Sequence, residues 1–281
     1  MPAAVCDGIE THYEVFGDGP PLLLFSPGGF NARVENWRSF GIYERLGLLD
    51  ALARHFTCIA YDRREAGRSG GRVEAITWRD YAVQGAALLD QLGIDRASLL
   101  GGCIGCSCAT AFAAAYPQRT GRIVLYSPAG GPRYRITQHA RFAEHVAFVA
   151  EAGLDGVVKL ARSAESAFSQ DARVGPWATV IRAFPEFSAG YEQLDGEWYR
   201  ATVERMASEL FDRDTVPGPA PEELIALDLA ALVVPGHDAA HATSAARYLE
   251  ECLTGSEYWD VPPEEQTAAT APSRLLAFLQ E

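Results

Sequence analysis

The sequence lacks several features that would assign it to whole classes of protein. None of its apolar runs approaches the roughly 20 residues that a membrane-spanning helix requires, so we expect no membrane association. The first residues, MPAAVCDGIETHYEVFG, contain neither a basic stretch nor an apolar core, which predicts no secretion signal and a cytoplasmic location. The sequence also contains no glycine-rich phosphate loop, metal-ligand cluster or cofactor motif, so we expect neither a cofactor nor a metal.

Positive charge and paired cysteines are scarce as well. The net charge of the 281 residues is -13, so a polyphosphate backbone would be repelled and we expect no nucleic-acid partner. Three of the six cysteines, Cys103, Cys106 and Cys108, crowd into one segment and the others are scattered, which is a poor disulfide framework. We therefore expect a reduced protein, a monomer or homodimer, whose partner is a small-molecule substrate.

What is present is an alternation of short apolar strands and amphipathic helices. The pattern predicts strands at 21–26, 56–61, 97–102, 123–127, 231–235 and 257–261. It predicts helices at 40–54, 77–92, 104–116 and 242–253, and a last helix that ends at Phe278. Continuous apolar strands between such helices indicate an α/β fold with a mainly parallel sheet covered by helices on both faces.

The alternation is interrupted after Ser127 by a mostly helical, aromatic-rich segment. We interpret residues 131–224 as a helical cap inserted into a core made of residues 1–130 and 225–281, because a long insertion between late strands usually covers a site. The Pro- and Gly-rich stretch 216–221 would be its exit linker. The alternative is that these helices pack peripherally.

The composition of this insertion suggests a substrate with apolar or aromatic character. Its candidate substrate-binding residues are Trp177, Tyr191 and Trp198. Arg133 and Arg135, where the insertion begins, could hold a carboxylate, although two arginines near a loop are more often solvated.

Residues 101–105, GGCIG, fit the pattern G-x-C-x-G between a predicted strand and a predicted helix. A sharp strand-to-helix turn needs small neighbours and presents its central side chain at the helix N-terminus, where a thiolate is stabilised. Cys103 is therefore the candidate nucleophile, with a buried inert thiol as the alternative. The C-x-x-C formed by Cys103 and Cys106 lacks the second pair that a zinc site needs, and Ser107 falls inside the helix rather than at the turn.

Four segments in the same order resemble the α/β-hydrolase fold family. LLLFSPGGF resembles its first strand and oxyanion loop, and YDRREAGRSGG resembles its D-x-R-G-x-G-x-S loop, with Glu65 and Ala66 as departures. LLGGCIGCS resembles its nucleophile elbow, and ALVVPGHD the late strand that delivers an acid. The resemblance covers nearly the whole chain and implies the α/β-hydrolase fold.

The resemblance also implies roles for single residues. The oxyanion hole would use the backbone amide of Ile104 and that of Gly29 or Phe30, although a plain tight turn is the alternative for the glycines. Asp238 stands where the family carries its acid. A surface aspartate in a turn is the alternative for Asp238.

The family histidine is missing from its usual position after the last strand. That stretch reads YWDVPPEEQTAATAPSRLLAFL and contains no histidine. His241 is the first candidate for the base, and the insertion could supply His139 or His145 instead. Glu264 or Glu265 could take part in proton transfer, but carboxylates at a helix start are usually caps.

A cysteine needs less help from a base than a serine does, because it ionises more easily. We therefore expect a thiol-dependent hydrolase of an ester, lactone or thioester that works through an acyl-cysteine. The cysteine resembles that of dienelactone hydrolases, but their histidine is not matched here, so their substrate is not carried over. The alternatives are a non-hydrolytic acyltransferase, cyclase or lyase of the same fold, or a catalytically inactive ligand-binding relative.

Overall fold

The computed structural model of the protein describes residues 3–281. In this range one sheet contains eight strands: β1 (Ala3–Cys6), β2 (Ile9–Phe16), β3 (Pro21–Phe25), β4 (Thr57–Tyr61), β5 (Ala97–Gly102), β6 (Thr120–Tyr126), β7 (Ala231–Val234) and β8 (Ser256–Tyr258). Their order across the sheet is β1-β2-β4-β3-β5-β6-β7-β8. The prediction of a mainly parallel sheet is confirmed, since β4, β3, β5, β6, β7 and β8 pair in parallel.

The centre of the sheet is apolar because both of its faces are covered. Strand β5 pairs with β3 through Leu23 and Leu99, and with β6 through Leu99 and Ile123. Strand β7 follows with Leu232 opposite Val124. All of these side chains are buried, which is why the strands have continuous apolar sequences rather than alternating ones.

The described part of the chain forms twelve α-helices around this sheet. They are α1 (Asn36–Ser39), α2 (Gly41–Leu46), α3 (Leu48–Leu52), α4 (Trp78–Gln91), α5 (Gly105–Ala115), α6 (Pro132–Ser163), α7 (Ala178–Ala183), α8 (Pro185–Glu192), α9 (Gly196–Leu210), α10 (Pro221–Ile225), α11 (Thr243–Cys252) and α12 (Thr270–Gln280). Short 3-10 helices lie at Gly29–Asn31, Pro117–Arg119 and Ala172–Val174. No helix within residues 3–281 is both long and apolar enough to cross a membrane.

The helices divide into two apolar layers. Helices α1, α2, α3 and α12 pack with one face of the sheet, and helices α4, α5 and α11 pack with the other. The second layer continues into the segment between β6 and β7, whose helices α6 to α10 occupy the region predicted as an insertion. Helix α6 bends at Gly153, where φ is 70°.

Two local predictions are corrected by the structure. The helix predicted at 40–54 is divided into α2 and α3, because Gly47 adopts a left-handed φ of 60° between them. The strand predicted at 257–261 is only three residues long. Elsewhere the predicted elements agree with the observed ones to within a few residues.

The hairpin of β1 and β2 was not predicted from the sequence. It pairs Ala3 with His12 and Cys6 with Ile9 in antiparallel register. Its two-residue turn is Asp7-Gly8, and both residues have positive φ, at 52° and 72°. Asp-Gly is a typical sequence for such a turn, so this dipeptide was the available signal.

Candidate active site

Cys103 lies at a sharp turn between β5 and α5. Its φ is 55°, a left-handed value that is strained for a residue with a side chain, and its backbone N–H donates to the Tyr126 carbonyl at 3.1 Å. A Cβ atom on Gly105 would lie 2.0 Å from the Phe25 carbonyl oxygen, and one on Gly101 would lie 2.6 Å from the backbone of Cys106. Small residues at both positions are therefore required to form the turn.

His241 lies beside Cys103, and its interaction with the thiol lowers the pKa of Cys103. The Nδ1 of His241 donates to Asp238, with both carboxylate oxygens at 2.9 Å. This leaves Nε2 as the ring nitrogen for the thiol. The structure thus brings Cys103, His241 and Asp238 together at one site.

The loop after β7 holds His241 in this position. Asp238 also accepts hydrogen bonds from the backbone amides of Ala240 at 2.8 Å and His241 at 2.9 Å, so one carboxylate shapes the turn and orients the ring. Gly130 forms a β-bridge with His241, and its amide donates to the Ala240 carbonyl at 2.9 Å. The loop is therefore fixed to the segment that follows β6.

The electrostatics of the pair favour a thiolate and an imidazolium. Burial would raise the pKa of the Cys103 thiol, but the hydrogen bond and charge of His241, with the amides of Ile104 and Gly28, outweigh it and lower the pKa. Burial would lower the pKa of His241, but Cys103 and Asp238 raise it to about 9. The pKa of Asp238 is lowered: its partial burial acts against this, and His241 and the loop amides overcome it.

Two backbone amides, those of Ile104 and Gly28, help to lower the pKa of the Cys103 thiol. The Ile104 amide is the one predicted from the sequence. The second was predicted at Gly29 or Phe30, both of which line the cavity, and this stays a prediction; the adjacent Gly28 also lines the cavity, and its amide acts on the sulfur. Gly28 has a φ of 120°, and Asn36 fixes its loop by donating to the Pro27 carbonyl at 2.6 Å.

Cys103 and His241 open into a cavity of about 250 Å³, slightly below the roughly 300–1,000 Å³ that is usual for ligand sites. Its aromatic walls come from both the core and the segment between β6 and β7: Phe30, Phe40, Trp78, Tyr81, Tyr134, Phe168 and Phe211. Its polar side chains besides the Cys103–His241 pair and these tyrosines are Asn31, Arg63, Gln138, Arg141, Ser169 and Gln170. A small, partly aromatic molecule fits such a lining.

The aromatic residues predicted to bind substrate are not among these walls, and that prediction is corrected. Trp177 is fully buried and its indole N–H donates to the Arg72 carbonyl at 2.8 Å. Tyr191 is buried and hydrogen-bonded to Tyr199, whereas Trp198 is 47% exposed on α9. The positions of these aromatic residues in the sequence do not reveal which of them pack the inserted helices and which line the cavity.

The other candidate bases lie away from the cavity. His139 is hydrogen-bonded to the Phe211 carbonyl at 2.9 Å, and His145 is buried against Tyr199 at 2.6 Å. Desolvation lowers the pKa of His145 to about 4. Glu264 and Glu265 are exposed, and neither lines the cavity.

The stretch that lacks the family histidine is tied down by a different residue. Gln266 is fully buried; its carbonyl-type side-chain oxygen accepts from the Tyr126 hydroxyl, and its amide donates to the Val261 carbonyl at 2.8 Å. Arg45 donates to the Gln266 backbone carbonyl at 2.7 Å. The loop after β8 therefore packs against the core and contributes no residue to the cavity.

Two further predictions concern charged and sulfur-containing residues. Arg135 pairs with Asp214 at 3.3 Å, and neither it nor Arg133 lines the cavity; the arginines that do are Arg63 and Arg141. Arg63 occupies the variable second position of the D-x-R loop, which is why the sequence did not single it out. All six cysteines are unpaired and buried, and Cys106, Ser107 and Cys108 lie in α5 outside the cavity lining.

Comparison with known proteins agrees with this architecture. The family model of the alpha/beta hydrolase fold matches residues 21–155. The enol-lactonase from Burkholderia xenovorans LB400 is similar in structure, with a TM-score of 0.63 and 22% identity over all of both chains. The chain therefore has the α/β-hydrolase fold.

The curated relatives compared with this chain match less than half of it. The chain is 33% identical over 124 residues to the dihydrolipoyllysine-residue acetyltransferase component of an acetoin cleaving system from Cupriavidus necator, covering 44% of this chain and 31% of that protein. It is 31% identical over 126 residues to 2-hydroxy-6-oxo-2,4-heptadienoate hydrolase from Pseudomonas putida, covering 44% and 42%. The match thus spans less than half the length of these relatives.

Proposed function

We propose that the protein is a thiol-dependent hydrolase of an ester, thioester or lactone, with Cys103 as nucleophile, His241 as base and Asp238 as the acid that orients it. The observation that carries this proposal is that Cys103 and His241 line the same cavity while His241 Nδ1 donates to Asp238 at 2.9 Å. The interaction with His241 and the amides of Ile104 and Gly28 lower the pKa of the Cys103 thiol. The names of several relatives, hydrolases and an enol-lactonase among them, support the reaction class.

The first half-reaction forms an acyl-cysteine. The Cys103 thiolate attacks the acyl carbon, and the carbonyl π electrons move to the oxygen as the carbon–sulfur bond forms. The amides of Ile104 and Gly28 act on the thiolate of the free enzyme, and we propose that they donate to the oxyanion once the carbon–sulfur bond has formed; losing one such donor typically costs about 10²–10³ in rate. When the oxyanion collapses, the bond to the leaving alcohol or thiol breaks, and His241 gives it a proton.

The second half-reaction returns the enzyme. His241, now neutral, takes a proton from water, and the resulting hydroxide attacks the acyl carbon. The second oxyanion collapses with loss of the Cys103 thiolate and release of a carboxylic acid. Asp238 accepts from Nδ1 throughout, which keeps Nε2 directed at the sulfur and stabilises the imidazolium.

The helical segment between β6 and β7 would serve as the cap of this site. Residues 131–224 supply Tyr134, Gln138, Arg141, Phe168 and Phe211 to the cavity that holds Cys103. A lid of this kind shields the site from bulk solvent and restricts which acyl groups enter. We propose that the aromatic walls select an acyl group of limited size.

The direct test is intact-protein mass spectrometry after brief exposure to p-nitrophenyl acetate, with release of p-nitrophenol measured in parallel. We expect an acetyl adduct that maps to Cys103, turns over with time and is absent from Cys103→Ala. Cys252→Ala removes another buried cysteine, outside the cavity, and is the matched control; it should keep both adduct and turnover.

Other results would favour the alternatives. An adduct that forms and persists in water would indicate transfer of the acyl group to a second substrate. Turnover that survives in Cys103→Ala, or the lack of any adduct with activated esters, would reject Cys103 as the nucleophile.

A further inference from the structure

The cavity contains a buried cation that pairs with no carboxylate of residues 3–281. Arg63 is only 5% exposed, yet it forms no ion pair within residues 3–281. Its guanidinium donates to the Gly29 carbonyl and to the Cys108 sulfur at 3.6 Å, and it stacks on the Tyr81 ring at 4.2 Å. All three partners are neutral, and the Nε–H has no partner among the described residues.

The next residue in the loop, Arg64, is a buried cation whose charge is balanced by carboxylates. Arg64, also buried, pairs with Glu65 at 2.9 Å and with Glu74. The charge of Glu65 does reach Arg63, but its carboxylate is bonded to Arg64, and burial raises the pKa of Glu65 to about 7. Burying a charge without an oppositely charged partner costs free energy of folding, so we look for a function that requires the unpaired Arg63 guanidinium.

The reacting groups do not use this positive charge. The Cys103 thiolate is already matched by the His241 imidazolium, which lowers the pKa of Cys103 more than any other group does. A second cation, the half-buried Arg141 on α6, lines the same cavity and forms no ion pair within residues 3–281. No Asp or Glu side chain is part of the lining.

We propose that the substrate of this site carries a carboxylate, which Arg63 and Arg141 bind while its acyl carbon lies at Cys103. This inference rests on the proposed function and adds the substrate class. Arg63 comes from the core and Arg141 from the segment between β6 and β7, so a bound carboxylate would also join the two parts around the substrate. Gln138 makes no side-chain hydrogen bond within the described residues and is a further donor for the same group.

Charge recognition is tested first without any turnover. Isothermal titration calorimetry compares phenylacetate with phenylacetamide, which has the same shape and no charge. A hydrogen-bonded charge pair contributes about 1.5–3 kcal/mol, so phenylacetate should bind at least about tenfold more tightly than the amide. Arg141→Gln and Arg63→Gln should each remove most of that preference.

The controls separate charge from folding. Arg162→Gln changes an exposed arginine of the same helix outside the cavity and should bind like the unaltered protein. If Arg63→Gln does not fold, as judged by thermal unfolding, Arg63→Lys keeps the charge and should retain part of the preference. Equal binding of the two probes, no detectable binding of phenylacetate, or a preference unchanged in Arg141→Gln would overturn the proposal.

A second measurement links this recognition to the reaction. The half-ester of glutarate with p-nitrophenol is compared with p-nitrophenyl valerate, which has the same chain length without the carboxylate. We expect the ratio of kcat/KM values to favour the half-ester by at least about tenfold and to fall towards one in Arg141→Gln. Carboxylate binding without hydrolysis of either ester would refute the proposed hydrolase and keep the anion site, whereas hydrolysis of both at equal rates would refute only the anion site.

Discussion

His241 donates from Nδ1 to a carboxylate that lies three residues earlier on the same loop, that of Asp238, at 2.9 Å. In the family pattern that the sequence resembles, the acid and the histidine follow two different strands. Here the loop after β7 carries both, and the loop after β8 carries neither. A three-residue spacing suffices because Asp238 closes a turn on the amides of Ala240 and His241.

His241 is expected to control the ionisation of Cys103. In His241→Ala the opposing effect of burial remains, so the pKa of Cys103 should rise above its usual value. Each unit of pKa changes the thiolate fraction about tenfold, and we expect the rate of Cys103 alkylation by iodoacetamide at pH 7 to fall by at least about 10²-fold. His139→Ala, outside the cavity, is the control, and equal rates in the two variants would contradict the pairing.

The pH dependence of the reaction should have two limbs. Below the lowered pKa of Cys103 the thiolate is protonated, so kcat/KM should rise with pH through that value. The pKa of His241 is raised to about 9, and above it the imidazolium that protonates the leaving group is lost. A plot of kcat/KM against pH should therefore fall again near pH 9. A profile that keeps rising through that range would show that no protonated histidine is needed.

Asp238 is expected to matter less than His241. Its side chain is 65% exposed, so solvent screens its charge, and the thiolate needs less help from a base than a serine would. We expect Asp238→Asn to lower kcat/KM by about tenfold, chiefly through a less ordered His241. Asp260→Asn, equally exposed and paired with Arg247 at 3.0 Å, should have no effect. If Asp238→Asn lowered kcat/KM as much as His241→Ala does, Asp238 would have to do more than orient the His241 ring.

Much of the fold could be predicted because its determinants are local. Apolar strands separated by amphipathic helices indicate a covered parallel sheet, and the small residues around Cys103 indicate a strained turn. Gly47 was overlooked, since the apolar spacing around it continues from α2 into α3 although its left-handed backbone ends the first helix. A single glycine can thus end a helix even where the apolar spacing of the sequence continues past it.

The cavity was harder to predict because its lining is assembled from distant parts of the chain. Arg63 and Phe168 line the same cavity although more than a hundred residues separate them in the sequence. No local pattern distinguishes either of them from a structural residue. Trp177 is an aromatic residue of the kind that often binds substrates, but it is fully buried and packs in the core. His241 could be proposed by elimination, but its contact with Cys103 depends on how the loop folds over the turn.

The distinction between packing and lining aromatics can be measured. Trp177→Phe removes a buried hydrogen bond to the Arg72 carbonyl and leaves a small void, so the free energy of unfolding should fall by about 1–3 kcal/mol. The KM of Trp177→Phe for aromatic esters should not change. Phe168→Leu alters a cavity wall and should change KM for aromatic esters more than it changes stability. A large change in KM for Trp177→Phe alone would restore the sequence-based assignment.

Gly28 provides the sharpest test of the oxyanion site. A Cβ at this position would lie 2.4 Å from the Asn36 amide nitrogen and 2.8 Å from the Asn31 carbonyl oxygen, so Gly28→Ala must move the loop that directs its own amide at the sulfur. We expect kcat/KM to fall by about 10²-fold or more, as for loss of one oxyanion donor, with the loss in kcat rather than in KM. Gly41 also has a positive φ, of 52°, but a Cβ there would have nothing within 4 Å, so Gly41→Ala controls for a side chain at a positive φ without a clash. Equal losses in the two variants would mean that the Gly28 amide has no part in the reaction, and Gly29 or Phe30 would then be the candidates to supply the second donor.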